Sequence, residues 1–312
     1  MNKKLVASAV LIIIVAAVAY GSLGTSKKTI KVSGAWALYP MMVKWAEEYQ
    51  KVYPNVRIDV SAGGAGKGMT DALGGLVDIG MISREIFPEE IGQGAFWVSV
   101  CKDAVVPTVN KNNPLLEELL AKGVTRRTFM DIWINGNITR WGEVVGTGSQ
   151  DAIHVYTRSD ACGAAQTWAD YLSYQQEDLL GVAVYGDPGL AEAVKNDPLG
   201  IGYNNINYAY DMETKETVQG IVVIPLDLNE NGKVDEDEDI YSNKDEVVEA
   251  IATGAYPSPP ARNLHLVTKD AFTGITKEFV TWILTEGQQY IPENGYIQLP
   301  EEVIAAELAK LD

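Results

Sequence analysis

Thr29-Ile30-Lys31-Val32-Ser33-Gly34-Ala35-Trp36-Ala37-Leu38-Tyr39-Pro40 opens the stretch that decides the fold. Thr29 to Ser33 reads as a short strand. After Pro40, residues Met42, Trp45, Ala46, Tyr49 and Val52 recur at helical spacing. Pro54 ends that helix, and Val56 to Val60 alternates as a second strand. The glycine-rich loop Gly63 to Gly68 then opens another helical stretch, which stops near Gly74 and Gly75, and Val77 to Ile82 is apolar again. Strand, loop and helix in repeated order predict an α/β fold with a parallel sheet and covering helices.

The same logic runs further along the chain. Strands are predicted at Ala104 to Val109, Ile153 to Tyr156, Ile201 to Tyr203, Ile221 to Ile224 and Leu264 to Val267. Helices are predicted at Arg127 to Trp133, Ala164 to Leu172, Leu190 to Val194, Val247 to Ala252, Lys277 to Glu286 and Glu301 to Leu311. Tyr256 to Pro260, with three prolines, reads as a rigid connector. Three loops join a strand to a helix N-terminus: Gly34 to Pro40, Ala62 to Gly68 and Arg158 to Ala164. In open α/β sheets ligands bind at such strand ends. Free backbone N–H groups and the positive end of the helix dipole favour an anion there.

Composition narrows the function. The chain has 312 residues, 46% of them apolar, and a formal net charge of −17. That charge argues against nucleic acid, whose phosphates are bound by clustered Lys and Arg. An acidic protein that holds an anion must do so with local dipoles and a few placed cations. The familiar nucleotide motifs fail. Ser61 and Gly68 break a Walker A loop around Gly66-Lys67, and Met69 breaks a GxGxxG begun at Gly64. Cys101 and Cys162 match no zinc pattern or CxxC pair and are expected to be free, buried thiols, and His154 and His265 are expected to be structural.

The loops are specific in another way. Ser33 to Pro40, running into Val43-Lys44-Trp45-Ala46, resembles the first loop and helix of the phosphate-binding-protein family. These proteins are extracytoplasmic solute receptors that feed an ABC transporter. Ala62 to Gly68 is similar to that family's second loop, and Val77-Asp78-Ile79-Gly80-Met81-Ile82-Ser83-Arg84 resembles its "D-I-G" strand end. Phe129 to Trp133 with Asn135 to Trp141 resembles its "I-F-x-G-x-I-x-x-W" segment. Arg158-Ser159-Asp160-Ala161-Cys162-Gly163-Ala164 resembles "R-S-D-x-S-G-T", and Gly200-Ile201-Gly202-Tyr203 resembles "G-x-I-G-Y". The matches are collinear over nearly the whole chain.

The resemblance implies a two-lobed, type II periplasmic-binding-protein-like fold with a ligand cleft between the lobes. One lobe would combine residues 29–105 with 261–312, and the other would hold 106–260. It implies capture of phosphate or a related tetrahedral oxyanion and delivery to permease subunits, with no catalysis. The expected ligand-binding residues are Ala37, Leu38, Tyr39, Gly64, Ala65, Gly66, Ser83, Arg84, Arg158, Cys162, Gly163 and Ala164. The chain departs from the family where hydroxyls would point at the anion: Ala35, Trp36, Leu38, Ala65, Cys162 and Ala164 replace them, and Ser83 stands where a carboxylate is usual. Asp78, Glu85 and Asp160 are candidate substitutes for that carboxylate. Alternatives are a surface sensor or scavenger without a transporter, and a phosphatase using Cys162. The usual Cys-x5-Arg spacing is absent, since Arg158 precedes Cys162.

Two segments stand apart. Asp227 to Glu238 fits an EF-hand-type loop, with Asp227, Asn229 and Asn231 at positions 1, 3 and 5, Gly232 at 6 and Glu238 at 12. With the Lys233 carbonyl, these residues predict an isolated structural Ca2+ site in an insertion near residues 225–240. At the other end, Lys3 and Lys4 precede an apolar run from Leu5 to Tyr20 and a polar linker within residues 1–28. That pattern reads as a signal peptide or an uncleaved signal anchor, and either places the remainder outside the cytoplasm, secreted or held at the membrane.

Overall fold

The computed structural model describes residues 28–312. The basic and apolar N-terminal segment lies outside the described residues. Among those described, no helix is long and apolar enough to cross a membrane.

The strands are β1 (Lys28–Gly34), β2 (Val56–Ala62), β3 (Ile79–Ile82), β4 (Ala95–Asn110), β5 (His154–Arg158), β6 (Val182–Val184), β7 (Gly200–Asn205), β8 (Ile221–Val223) and β9 (Ala261–Lys269). Their hydrogen-bonded order is β2-β1-β3-β9-β4-β7-β5-β6, with β8 added to β4. β1 lies parallel to both β2 and β3, and β7 lies parallel to β5, which lies parallel to β6. β4 and β9 run antiparallel to their neighbours in the middle of the path.

β4 explains why there are two lobes. Its first part, Ala95 to Ala104, pairs with β9, and its second, Val105 to Val109, pairs with β7. The apolar core divides at the same place. One cluster gathers Ile30, Trp45, Tyr49, Val98, Leu266 and Phe279; the other gathers Val105, Phe129, Trp133, Trp168, Tyr203 and Tyr256. The chain crosses from the first cluster to the second along β4. It returns through the Tyr256 to Pro260 connector into β9.

β4 is also where the sequence reading falls short. A strand is expected only over Ala104 to Val109, but it begins at Ala95. Residues Asp103 to Asn110 are buried without a break, because both faces are covered, so period-2 alternation disappears.

The parallel strands of both lobes end at the seam between the two clusters. In the first lobe the helix Ala65–Leu73 packs against the ends of β1 and β3 at backbone contact. A Cβ on Gly68 would fall 2.7 Å from both Gly34 Cα and Met81 O, so no larger residue fits this approach. In the second lobe the helix Gly163–Leu172 is anchored by Trp168. Its ring stacks on Tyr203 at 5.9 Å and meets Trp133 edge-on at 5.4 Å. The Tyr203 hydroxyl in turn accepts the Arg158 N–H at 3.2 Å, which fixes the end of β5.

Candidate functional site

The first wall of the seam is built from backbone. The Ala35 N–H donates to Met81 O at 2.8 Å, and the Gly63 and Gly64 N–H groups donate to Gly34 O at 2.9 and 3.1 Å. These bonds set the single turn Trp36–Leu38 and the start of helix Ala65–Leu73 side by side. Gly64 has φ of 90°, a conformation that glycine adopts without strain. Ser83 follows directly after β3 and is buried.

The second wall comes from the end of β5. Cys162 caps the helix Gly163–Leu172, and its thiol accepts the Ala165 N–H at 3.4 Å, the place a serine hydroxyl would take. The N–H groups of Gly163 and Ala164 belong to the first turn of this helix, where the backbone supplies no intrahelical acceptors. Burial pushes the Cys162 thiol up to about 12, against the pull of the nearby Arg158 charge. It is therefore a neutral thiol at physiological pH.

The walls touch. The Gly66 N–H donates to Ala161 O at 3.0 Å across the seam. A Cβ on Gly163 would overlap the Ser83 carbonyl and hydroxyl, and one on Gly64 would lie 2.9 Å from an Asp160 carboxylate oxygen. Trp36 sets its ring against Gly186 and edge-on to Tyr185, with 6.3 Å between ring centres. The Tyr208 hydroxyl donates to Trp36 O at 3.2 Å, and the Tyr296 hydroxyl donates to Ala37 O at 2.7 Å.

Arg158 is the cation of the site, and its side chain is wholly shut off from solvent. Nε and Nη2 donate to the two oxygens of Asp160 at 2.8 and 2.6 Å, and Nη1 donates to Asp187 at 2.5 Å. Burial works against its charge, but Asp187 and Asp160 outweigh it and hold the guanidinium protonated. Three of its five N–H donors are engaged by these carboxylates, which leaves two for a ligand. Asp187 is fixed in turn by Asn205, whose side-chain amide donates to it at 2.7 Å. One cation between two carboxylates gives a local charge of −1.

The seam brings together Ala37, Leu38, Gly64, Ala65, Gly66, Ser83, Arg158, Cys162, Gly163 and Ala164, all of them buried except the partly buried Gly66. Tyr39 lies at its edge, 6.5 Å from the Trp36 ring centre to centre. Arg84 is committed elsewhere. Its guanidinium makes a two-pronged pair with Glu90 at 2.9 and 2.6 Å and covers the Phe87 ring. It lines a separate groove of about 770 Å³ with Lys102, Gln166, Asp170 and Arg262. Asp78 accepts the Lys31 N–H at 2.8 Å, so it holds backbone, and Glu85 is exposed. Of the three candidate carboxylates only Asp160 reaches Arg158. Asp187 is not legible in the sequence, because Gly186-Asp187-Pro188 reads as an ordinary acidic helix start.

Cys101 and Cys162 are free and buried, one in each apolar cluster. His154 pairs with Asp197 at 2.7 Å, and His265 meets Ser99 at 3.0 Å. Among the described residues no group of three or more His, Cys, Asp or Glu is disposed to hold a metal ion. In the Asp227 to Glu238 loop, Asp227 accepts the Gly232 N–H at 2.9 Å and Glu238 accepts the Leu228 N–H at 2.7 Å. Asp235 is turned toward Lys233, Asn229 and Asn231, whose hydrogen bonds hold its carboxyl down to about 2.

Two lobes joined by central antiparallel strands, with strand ends and helix N-termini meeting at the seam, define a two-lobed binding-protein architecture. The chain belongs to the PBP superfamily, whose domain model matches residues 22–286. It is 27% identical over 329 residues to the phosphate-binding protein PstS of Methanocaldococcus jannaschii, covering 88% of this chain and 83% of that one. It is 24% identical to the phosphate-binding protein PstS of Bacillus subtilis, covering 91% and 90%. Among solved structures, a putative phosphate ABC transporter substrate-binding protein with bound phosphate from Clostridium perfringens superposes with a TM-score of 0.71. It is 24% identical, and the match covers 88% of this chain and all of that one. An ABC-type phosphate transport receptor from Vibrio cholerae superposes with a TM-score of 0.62 at 21% identity, covering 87% and all of it.

Asp187→Ala tests the charge cluster. It leaves the buried Nη1 donor of Arg158 and the Asn205 amide without their acceptor, so unfolding in urea without ligand should show a loss of about 3 kcal/mol. An unchanged midpoint would mean that Asp187 does not hold Arg158.

Proposed function

We propose that this protein is an extracytoplasmic, non-catalytic receptor that captures phosphate or a related tetrahedral oxyanion at the seam and delivers it to an ABC-transporter permease. One observation carries the reading: the start of helix Gly163–Leu172 and the buried Arg158 stand together across from the Trp36–Leu38 turn. Unpaired N–H groups at a helix start and a guanidinium fork suit a tetrahedral anion. The phosphate-binding names of the relatives supply the ligand class.

In this reading the anion is held by backbone N–H groups and arginine rather than hydroxyls, and closure of the lobes removes it from water. Nothing favours the phosphatase alternative. A thiol pushed up to about 12 is no nucleophile at neutral pH. The N-terminal segment would hold the protein at the outer face of the membrane or direct its export.

We propose in addition that Asp227 to Glu238 takes a structural Ca2+. Support comes from the oxygen donors Asp227, Asn229, Asn231 and Glu238, the Lys233 carbonyl, and the left-handed Gly232, with φ of 79°. Bound calcium would supply a positive charge that draws these carboxylates together, displacing the Lys233 contact on Asp235.

Calorimetric titration with phosphate should show saturable binding by the wild type. Arg158→Ala and Arg158→Lys should each weaken it at least about tenfold, since a lysine cannot reproduce the fork. Affinity equal to wild type in both variants would remove Arg158 from the site. For the loop, EDTA should lower the melting temperature by several degrees and added Ca2+ should restore it, as expected for a ligand bound only by the folded state. Asp227→Ala should abolish that difference, and a wild type indifferent to EDTA would contradict the calcium site.

A further inference from the structure

A lysine is almost never fully buried without a charged or oxygen partner, because its ammonium loses its hydration there. Lys244 is such a case. It opens the helix Lys244–Thr253 of the second lobe, directly after the cap Asn243, and its side chain is fully buried. Its one hydrogen-bond partner among the described residues is the Met212 thioether, 2.6 Å from Nζ. A thioether is a weak acceptor.

What shuts the amine in comes from the first lobe. The turn Pro292–Asn294 ends at Gly295, which lies so close that a Cβ there would overlap Lys244 Cε and Nζ. Gly295 stands between Ile291 and Tyr296 of the first apolar cluster, whereas Lys244 stands between Tyr241 and Val247 of the second. The contact therefore spans the boundary between the lobes, and both of its sides lead to the seam. The hydroxyl of Tyr296 donates to Ala37 O, and that of Tyr208, on the segment leading to Met212, donates to Trp36 O.

The charged groups around the amine do not stand in for an oxygen partner. Lys215, whose carbonyl accepts the Lys244 N–H at 2.9 Å, adds a like charge. Asp245 and Asp211 attract the amine without bonding to it, and Asp211 is capped by the Glu213 and Thr214 N–H groups at 2.9 and 2.8 Å. Glu213 and Glu216 of the same loop are exposed, and Glu246 of the helix is bonded to Asn243. On the first-lobe side Glu293 is exposed and faces Lys44 at 3.8 Å. Burial, helped by Lys215, brings the amine down to about 7 against the pull of the two aspartates.

We infer that Lys244 couples closure of the lobes to a proton: the amine is hydrated and charged while the lobes stand apart, and when they close over an anion it is sealed against Gly295 and gives that proton to solvent. This rests on the oxyanion-receptor reading above. The N–H bond that breaks leaves its electron pair on Nζ, and water or buffer takes the proton. Above about 7 the closed form is neutral and the open form charged, so closure, and anion affinity with it, strengthens as pH rises toward the ordinary lysine range. Below about 7 both forms are charged, and closing carries the whole cost of burying an ammonium. The receptor therefore loosens its hold as the medium acidifies, whatever the ionisation of the anion itself.

The test is calorimetric titration with inorganic phosphate at about pH 8 and about pH 9, in buffers of different ionisation enthalpy, on the wild type and Lys244→Met. Phosphate keeps one proton throughout this range, so protons released on binding come from the protein. Methionine keeps the length of the side chain without its charge, and ligand-free melting temperatures check its fold. The wild type should release about one proton per anion and bind up to about tenfold tighter at the higher pH. Lys244→Met should bind equally well at both and release about one proton fewer. A wild type that binds phosphate and releases no more protons than Lys244→Met would overturn the coupling and leave the receptor reading standing. Should Lys244→Met fail to fold, the wild type decides alone, and phosphate binding without proton release overturns the coupling. A wild type that binds no phosphate would overturn the receptor reading and this inference with it.

Discussion

A guanidinium cut off from water has to be neutralised where it stands, and in this fold that requirement falls on Arg158. Asp160 grips two of its nitrogens from the same loop, and Asp187 takes a third from the following helix. Those bonds tie the end of β5, the loop before helix Gly163–Leu172 and the start of helix Gly186–Asn196 into one rigid corner. Removing a partner from such a group is costly, because buried N–H donors are left without acceptors. The corner is thus held in shape before any ligand arrives, and the two guanidinium N–H donors left over are oriented by it.

The same corner reconciles an acidic protein with anion capture. A net charge of −17 offers no long-range attraction to an oxyanion. Selectivity and affinity must then come from short-range donors in a site from which water is excluded. Helix starts and glycine-rich turns supply these without further charge. Small residues at Gly64, Gly66 and Gly163 let the two walls approach to backbone contact. With alanine and cysteine in place of hydroxyl side chains, the seam relies on main-chain N–H groups, whose directions are set by the fold rather than by rotamers.

Much of this is legible in the residue order. The collinear loops around Gly34, Gly64 and Arg158 locate the seam, because strand-to-helix turns have strong local signatures. Other features leave no local trace. The first half of β4 lacks a clean boundary, since a strand shared by two lobes is buried on both faces. Arg84 follows Ser83 in sequence, but neighbours on an extended chain point opposite ways. Ser83 meets Gly163 while Arg84 turns to Glu90. Asp187 matters through Arg158, 29 residues away, a relation set by tertiary packing rather than by any motif.

The central claim is that an oxyanion is held where the first-lobe turn meets the Arg158 corner. Anomalous diffraction from crystals grown with arsenate, a heavier tetrahedral oxyanion, tests it most directly. The account predicts one strong arsenic peak bounded by Arg158, the Gly163 and Ala164 N–H groups and the Trp36–Leu38 turn. An arsenic peak in the groove beside Arg84 and Lys102, with none at the seam, would contradict it.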